Sequence, residues 1–315
     1  MSEAQMSGAG TDAPPRLPLS VVILAKNEEC NIQRCVAAVD WADEVVVVDD
    51  GSTDRTVELA QALGARLIQH EFESFASQRN WAMSHANLKH DWVLHLDADE
   101  VATIPLSHEL KSAIAAASHD VAAFRMCRKT ILLDRWLKYS DGFPVWIMRL
   151  VRRNRAVFID CGHGEVAVPE VDGTMLTIQE PFLHYAFSKG LTDWIARHNR
   201  YSTREAELEL QVFAGLKWKK LFSRDRAVRR HALRSLSRRL PFRPTCRFLY
   251  QYVLKRGFLD GRAGWTFSRM MAMYEGWIVM KRDEMRRSRR GLPAAEPASR
   301  NSLPTGQTAD QTARH

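Results

Sequence analysis

The feature that most constrains the fold of this chain is a regular alternation of short apolar runs and amphipathic segments in its first half. The apolar runs are rich in β-branched residues, which predicts buried strands, and the intervening segments carry apolar residues at helical spacing. Repeated β-α units predict an α/β domain in which helices cover both faces of a mostly parallel sheet. The strands are expected at 19–24, 44–48, 65–68, 92–96 and 121–127, and the helices at 28–39, 54–63, 75–88 and 105–117.

Two acidic motifs follow predicted strands directly: Asp49-Asp50-Gly51-Ser52 and Asp97-Ala98-Asp99. Ligands of such sheets bind at the carboxyl ends of the strands. Two carboxylates at the end of a buried strand are costly unless a cation neutralises them, and Mg²⁺ combines protein carboxylates with substrate phosphate oxygens. The second motif therefore predicts a divalent-metal site, with a turn or helix-cap cluster as the alternative.

Two common nucleotide-binding motifs are missing from the sequence. There is no G-x-G-x-x-G after the first predicted strand and no G-x-x-x-x-G-K-[ST] at any position. Because these glycine-rich loops hold the phosphates of dinucleotides and of NTPase substrates, their absence weakens both of those interpretations.

Four motifs in order resemble family 2 glycosyltransferases, in particular the branch related to lipopolysaccharide-core glucosyltransferases. The resemblance extends over roughly residues 18–205 and rests on Leu19 to Glu29, Val47 to Asp54, Gln78-Arg79-Asn80 and Leu96 to Glu100. It implies a GT-A (Rossmann-like) fold, a nucleotide-sugar donor, generally a UDP-sugar, a Mg²⁺ or Mn²⁺ cofactor, and inversion at the anomeric carbon.

The resemblance also assigns roles to individual residues. It places the metal on Asp99 together with Asp97, which also approaches the ribose or the sugar. His184 is a further candidate metal ligand, with a packed structural histidine as the alternative. Arg79 is expected near the base or the diphosphate, with a surface ion pair as the alternative. The nucleotide-sugar-binding residues implied are Ala25, Glu28, Asp50, Gly51, Arg79 and Asp97.

Inverting transfer also requires a carboxylate that accepts the proton of the acceptor hydroxyl. In the related branch a Pro-Asp pair lies near this region, but here Val145 follows Pro144, and Gly164 separates His163 from Glu165. Glu165 is the first candidate for the catalytic base and Asp141 the second. An ordinary strand-end carboxylate is the alternative for Glu165.

Charge and composition differ along the chain and predict where its regions begin and end. The net charge is +8, yet residues 211–290 hold 22 Lys and Arg against 5 Asp and Glu, so the remainder is net negative. The predicted organisation is a disordered leader (1–17), a GT-A catalytic domain (18–190), a basic amphipathic helical region (191–290) and a disordered tail (291–315). A basic helical region predicts contact with an anionic membrane surface, with a solvated helical face as the alternative.

These observations lead to one principal hypothesis. The chain is expected to move a sugar from a nucleotide-sugar to a membrane-associated glycan or glycolipid, such as lipopolysaccharide core. Its location is expected to be cytoplasmic, on the inner face of the cytoplasmic membrane, because it has no apolar leader and no CxxC pair among its five cysteines.

Three other interpretations were weighed. A nucleotidyltransferase usually carries a glycine-rich basic loop where this chain has Ala25-Lys-Asn-Glu-Glu29. A catalytically dead sugar-nucleotide binder fits poorly with an intact Asp97 and Asp99. The alternative from another class is a nucleic-acid-binding protein that uses the basic third, but no RRM, KH or zinc pattern supports it, so no nucleic-acid partner is expected.

Overall fold

The computed structural model describes residues 16–161, 164–169, 173–212, 225, 229 and 240–291 of the 315-residue chain. The predicted tail from residue 292 onward, and the predicted leader up to residue 15, lie outside the described residues. Leu17 is buried and opens the first strand, so this strand starts within the segment predicted as leader.

Twelve strands and seven α-helices make up the described structure. The strands are β1 (Leu17–Ala25), β2 (Ala42–Asp49), β3 (Arg66–Gln69), β4 (Trp92–Asp97), β5 (Glu100–Val101), β6 (Val121–Leu132), β7 (Arg135–Trp136), β8 (Val145–Arg152), β9 (Ala156–Cys161), β10 (Gly164–Pro169), β11 (Thr174–Thr177) and β12 (Phe182–His184). The helices are α1 (Ile32–Ala37), α2 (Thr56–Ala62), α3 (Phe75–His85), α4 (Ile104–Ala116), α5 (Gly190–Val212), α6 (Arg243–Leu249) and α7 (Gly261–Arg289).

The first four strands form the parallel half of the main sheet, in the order β3-β2-β1-β4. In the register of β1, Val21 lies opposite Val45 of β2 and Ile23 lies opposite Leu96 of β4. All four strands therefore point their carboxyl ends in the same direction, which brings the two acidic motifs to one edge of the sheet.

The second half of the sheet is mixed. β8 inserts antiparallel between β4 and β6, and β12 and β5 continue the order beyond β6. The predicted fifth strand is β6, which extends to Leu132 and does not neighbour β4. β9 and β10 form a separate antiparallel pair.

Both faces of the sheet are buried, as the apolar runs predict. Alternate β1 residues face opposite sides: Val21 and Ile23 belong to the core beneath α1 and α4, whereas Val22 and Leu24 belong to the core beneath α3. Full burial of one such side chain stabilises a fold by about 1.5–3 kcal/mol. A strand buried on both faces is thus a strong anchor for the loop that follows it.

The C-terminal helices pack on one another and against the sheet domain. Trp194 and Ala206 of α5 lie against Tyr274 and Ile278 of α7. Between α7 and the sheet, Phe267 packs with Leu132 and Leu137. Within the described ranges, no helix has both the length and the apolar character that crossing a bilayer requires.

Candidate active site

A cleft of about 640 Å³ opens at the carboxyl ends of β1, β2 and β4, and α5 forms its opposite wall. Six of the residues that the sequence analysis assigned to donor or metal binding line this cleft: Ala25, Glu28, Asp50, Asp97, Asp99 and His184. The parallel register of the three strands brings the first five of these residues together, and β12 supplies His184.

The first carboxylate of the Asp97-Ala98-Asp99 motif is fixed by two arginines. Arg79 donates a hydrogen bond to Oδ1 of Asp97 at 2.6 Å, and Arg149 donates to Oδ2 at 2.8 Å. Arg149 also donates to Oε1 of buried Glu100 at 2.6 Å, and Glu100 accepts the backbone N–H of Asp97. The result is a closed network of two guanidinium groups and two carboxylates beneath the cleft.

Opposing effects set the charge states in this network. Burial favours a raised pKa for Asp97, but the charges of Arg149 and Arg79 outweigh burial, so the pKa lies well below its ordinary value. For Glu100 the balance is reversed: burial dominates and raises the pKa although Arg149 opposes the shift. Asp97 therefore stays ionised throughout the physiological pH range.

Arg79 lies elsewhere than the sequence analysis expected. Its side chain is 0% exposed and projects from α3 against Asp97, so it lies beneath the cleft and not on its wall. A fully buried guanidinium has no surface to offer a base or a diphosphate. In this structure Arg79 positions Asp97. Because Arg79 is buried, its ion pair with Asp97 is also not the surface ion pair given as the alternative.

The second carboxylate of the motif has a different partner. Oδ2 of Asp99 lies 3.6 Å from Nε2 of His184, and both side chains reach the cleft. Burial raises the pKa of Asp99, but the neighbouring His184 reverses this effect, and the net shift is downward. An ionised carboxylate beside an imidazole nitrogen is a donor pair suited to a divalent transition metal such as Mn²⁺.

The described residues contain no group of three or more His, Cys, Asp and Glu arranged to hold a metal ion. Both oxygens of Asp97 accept from guanidinium groups, which compensates its charge but leaves a lone pair on each oxygen. Asp99 and His184, with Asp97 beside them in the cleft, fit a cation whose remaining ligands would come from substrate phosphate oxygens and water. Mg²⁺ at nucleotide sites commonly combines one or two carboxylates with such ligands.

The two carboxylates of the motif after β2 have different roles: one closes a turn and the other lines the cleft. Asp49 is buried and accepts the backbone N–H of Ser52 at 2.9 Å, which closes the turn. Asp50 faces the cleft and accepts from Nζ of Lys26 at 2.6 Å and from the backbone N–H of Phe72 at 2.9 Å. Gly51 has φ of +67°, a conformation that favours glycine, and open space beside its Cα.

Glu28 links the two walls of the cleft. Its Oε1 pairs with Nζ of Lys189 at 2.5 Å, and its Oε2 accepts from Asn31 at 2.7 Å. Burial raises the pKa of Glu28, and the hydrogen bonds from Lys189 and Asn31 oppose that shift. Lys189 lies just before α5, so this ion pair holds the start of α5 against the end of β1.

The basic wall supplied by α5 is a feature that sequence reasoning missed. Arg197, Arg200, Tyr201 and Arg204 all line the cleft, together with Asp193 one turn earlier. Their spacing of three and four residues puts them on one helical face. This pattern was visible in the sequence, but only the packing of α5 shows that the face points at the strand ends.

Asp141, the second candidate base, is not among the described residues that line the cleft. It accepts a hydrogen bond from Thr130 at 2.7 Å and lies 3.8 Å from Nε of Arg128. Thr130 pairs with His184 in the sheet, which puts Asp141 one residue away from a residue of the cleft. The backbone of Glu165 lies in β10 opposite Asp160, and its side chain is outside the described residues.

Comparison with known proteins agrees with this geometry. The model of glycosyl transferase family 2 matches residues 20–164. An uncharacterized glycosyltransferase of Rickettsia felis is 37% identical over 200 residues, which cover 60% of this chain and 69% of that protein. The chain belongs to glycosyl transferase family 2. Its mostly parallel, mixed sheet flanked by helices is the GT-A fold that the motifs implied.

Similarity to this family 2 glycosyltransferase also extends to proteins of lower identity. The lipopolysaccharide core biosynthesis glycosyltransferase LpsC of Rhizobium meliloti is 27% identical over 203 residues, covering 62% of this chain and 73% of LpsC. Among solved structures, glucosyl-3-phosphoglycerate synthase from Mycobacterium tuberculosis is 18% identical, with a TM-score of 0.42 over 62% of this chain and 79% of that one. TarS 1-349 of S. aureus is 15% identical, with a TM-score of 0.40 over 87% of this chain and 92% of that one.

Proposed function

We propose that this glycosyltransferase moves a sugar, with inversion, from a UDP-sugar to a membrane-associated glycan or glycolipid acceptor such as lipopolysaccharide core. The family supports the transferase activity, and the role named for LpsC supports the class of acceptor. The proposed location is the cytoplasmic face of the inner membrane, where nucleotide-sugars and growing envelope lipids meet.

The observation that carries the proposal is the charge arrangement within one cleft. Asp99 and His184 lie on the sheet side, while Lys189, Arg197, Arg200 and Arg204 belong to the opposite wall. A diphosphate placed between them would meet cations on one side and a metal-binding pair on the other. Charge-assisted hydrogen bonds from arginine to phosphate are among the strongest in proteins.

Each group of residues has a separate task in this proposal. Asp50, beside the open turn at Gly51, accepts hydrogen bonds from the uracil or ribose. Asp97, held ionised by Arg79 and Arg149, accepts from hydroxyl groups of the ribose or the donor sugar. A Mg²⁺ or Mn²⁺ ion held by Asp99 and His184 would stabilise the charge that develops on the diphosphate as it leaves.

The proton of the acceptor hydroxyl must pass to a carboxylate as the new glycosidic bond forms. Glu165 remains our first candidate for this base and Asp141 the second. In the proposal, the base removes the proton while the hydroxyl oxygen attacks the anomeric carbon, and the bond to the nucleoside diphosphate breaks on the opposite face.

Calorimetric titration of UDP, with and without Mn²⁺, tests the donor site. We expect UDP to bind the parent protein in the presence of Mn²⁺. The Asp99→Asn variant should bind UDP at least about tenfold more weakly, because even the replacement of a residue that only supports a metal ligand lowers metal affinity by that much. Asp40→Asn, which removes an exposed carboxylate on the far side of α1, is the matched control and should bind as the parent does.

Two results would count against the proposal. If Asp99→Asn binds UDP as tightly as the parent in Mn²⁺, Asp99 is not part of the donor site. If UDP, GDP and dTDP all fail to bind with the metal present, the nucleotide-sugar assignment itself is wrong. Steep salt-dependent binding of nucleic acid would then favour the alternative function.

A further inference from the structure

An apolar surface lies outside the catalytic cleft, on the segment between α6 and α7. A π-helical turn (Tyr250–Leu254) and a 3₁₀ turn (Gly257–Asp260) connect these helices. Six large apolar side chains in this segment, each between 44% and 74% exposed, form what we call the 249–259 face: Leu249, Tyr250, Val253, Leu254, Phe258 and Leu259. Contiguous exposed apolar surface of this kind marks a binding surface.

The 249–259 face rests on a rigid support. Within the same segment and the start of α7, the rings of Phe248, Tyr252 and Trp265 contact one another at centroid distances of 5.1–5.3 Å. Gly257 and Gly264 allow close backbone approach there, because a Cβ at Gly264 would lie 2.0 Å from the carbonyl oxygen of Gly257. The exposed side chains are therefore presented by a packed element and not by a loose loop.

The exposed charged residues along this segment are basic. Arg256 and Arg262 are exposed, whereas the partly buried Lys255 turns toward Gly142 and is influenced by the charge of Asp141. The acidic residue in residues 242–262 is Asp260, which is 2% exposed and accepts hydrogen bonds from the backbone N–H and hydroxyl of Ser140. The surface thus combines exposed aliphatic and aromatic groups with the positive charges of Arg256 and Arg262.

The face is joined to the catalytic domain at the loop that carries Asp141. Asp260 accepts from Ser140 at 2.7 Å, Gln251 donates to the carbonyl oxygen of Ser140 at 3.2 Å, and Arg135 donates to that of Leu259 at 3.1 Å. Asp141 in turn accepts from Thr130, the sheet neighbour of His184. Whatever binds the 249–259 face is therefore held in a fixed orientation relative to the cleft.

We propose that the 249–259 face docks on an anionic lipid bilayer. Leucine, phenylalanine and tyrosine enter the headgroup boundary favourably, while the exposed Arg256 and Arg262 meet anionic headgroups. A two-fold contact with a second copy is disfavoured, because it would bring the exposed arginines of the two copies together. This inference rests on the proposed function, because docking on a membrane would bring the cleft to a membrane-borne acceptor.

Vesicle co-sedimentation of the full chain tests the docking surface. The vesicles contain either equal parts of phosphatidylglycerol and phosphatidylcholine, or phosphatidylcholine alone. We expect the parent to prefer the anionic vesicles, Leu254→Ser to weaken that binding roughly tenfold, and Arg256→Gln to weaken it about fivefold. Met280→Ser, at an apolar position of α7 that is also well exposed (62%, against 74% for Leu254), is the matched control and should bind as the parent does.

The proposal fails if the parent binds both vesicle types equally, or if Leu254→Ser and Met280→Ser bind alike. It also fails if the parent is a dimer in solution and Leu254→Ser makes it a monomer, since the face would then be covered by a second copy. Calorimetry with UDP separates this proposal from the preceding one, because Leu254→Ser should bind UDP as the parent does. If neither the parent nor the variants bind UDP, the donor-site proposal fails, but the vesicle experiment still tests the docking surface.

Discussion

At the scale of single residues, the two carboxylates of the Asp97-Ala98-Asp99 motif have different environments although they are two positions apart. Asp97 accepts from two arginines, whereas Asp99 lies beside His184 on the sheet side of the cleft. Burying charged groups is costly unless each is paired and hydrogen-bonded. The Arg79 and Arg149 pairs meet that condition, and they hold Asp97 in one orientation at the strand end.

Replacement of Arg79 tests this interpretation. Arg79→Met keeps much of the side-chain volume but removes one of the two cations that neutralise Asp97, so we expect the free energy of unfolding to fall by about 3 kcal/mol. Urea denaturation at neutral pH measures the change. Arg55→Met removes an exposed pair with Glu58 and should alter stability by less than about 1 kcal/mol. Similar values for the two variants would show that the Arg79–Asp97 pair does not stabilise the fold.

At the scale of secondary-structure elements, local pattern predicted the first half of the chain well. The strands observed at Leu17–Ala25 and Trp92–Asp97, and the helix at Phe75–His85, match their predictions within a few residues. The insertion of β8 between β4 and β6 could not be predicted, because strand order depends on pairing between distant segments. For the same reason, the sequence did not show that the basic face of α5 points toward the cleft. That part of the candidate site was therefore not predicted.

The α5 wall gives a prediction about donor affinity. If Arg200 and Arg204 contact the diphosphate, Arg200→Gln and Arg204→Gln should each weaken UDP binding in Mn²⁺ about tenfold, the size expected for one hydrogen bond to a charged group. Glu207→Gln changes an exposed residue of the same helix that does not line the cleft, and it should leave the affinity unchanged. Isothermal titration calorimetry gives all three values. Unchanged affinity in both arginine variants would place the diphosphate away from α5.

At the scale of the whole molecule, the basic helical region forms part of the catalytic body. Glu209 of α5 is buried and pairs with Arg243 of α6 at 2.8 Å and with Arg282 of α7 at 3.4 Å. Asp260 binds the 139–140 loop of the catalytic domain. Because α5 also lines the cleft, unfolding of the helical region would remove one wall of the donor site.

Two glycines of α7 test how tightly this region is joined to the rest. A Cβ at Gly264 would lie 2.0 Å from the carbonyl oxygen of Gly257 and 2.8 Å from Cβ of Asp260, so Gly264→Ala must displace the turn that binds Ser140. We expect it to lower the free energy of unfolding by about 2 kcal/mol. At Gly276 the nearest atom is Cγ of Pro244 at 3.6 Å, an ordinary contact. Gly276→Ala should therefore stabilise the helix by up to about 1 kcal/mol.

Thermal and urea unfolding of both variants, followed by far-ultraviolet circular dichroism and by UDP binding, measure these effects. If the helical region and the catalytic domain unfold together, Gly264→Ala should lower the midpoint of a single transition, and UDP binding should be lost at that same lower midpoint. If Gly264→Ala instead produces a separate early transition while UDP binding persists to the parent midpoint, the helical region unfolds independently. That outcome would contradict the assignment of α5 to the donor site, because a wall of the cleft cannot unfold without loss of the ligand that it holds.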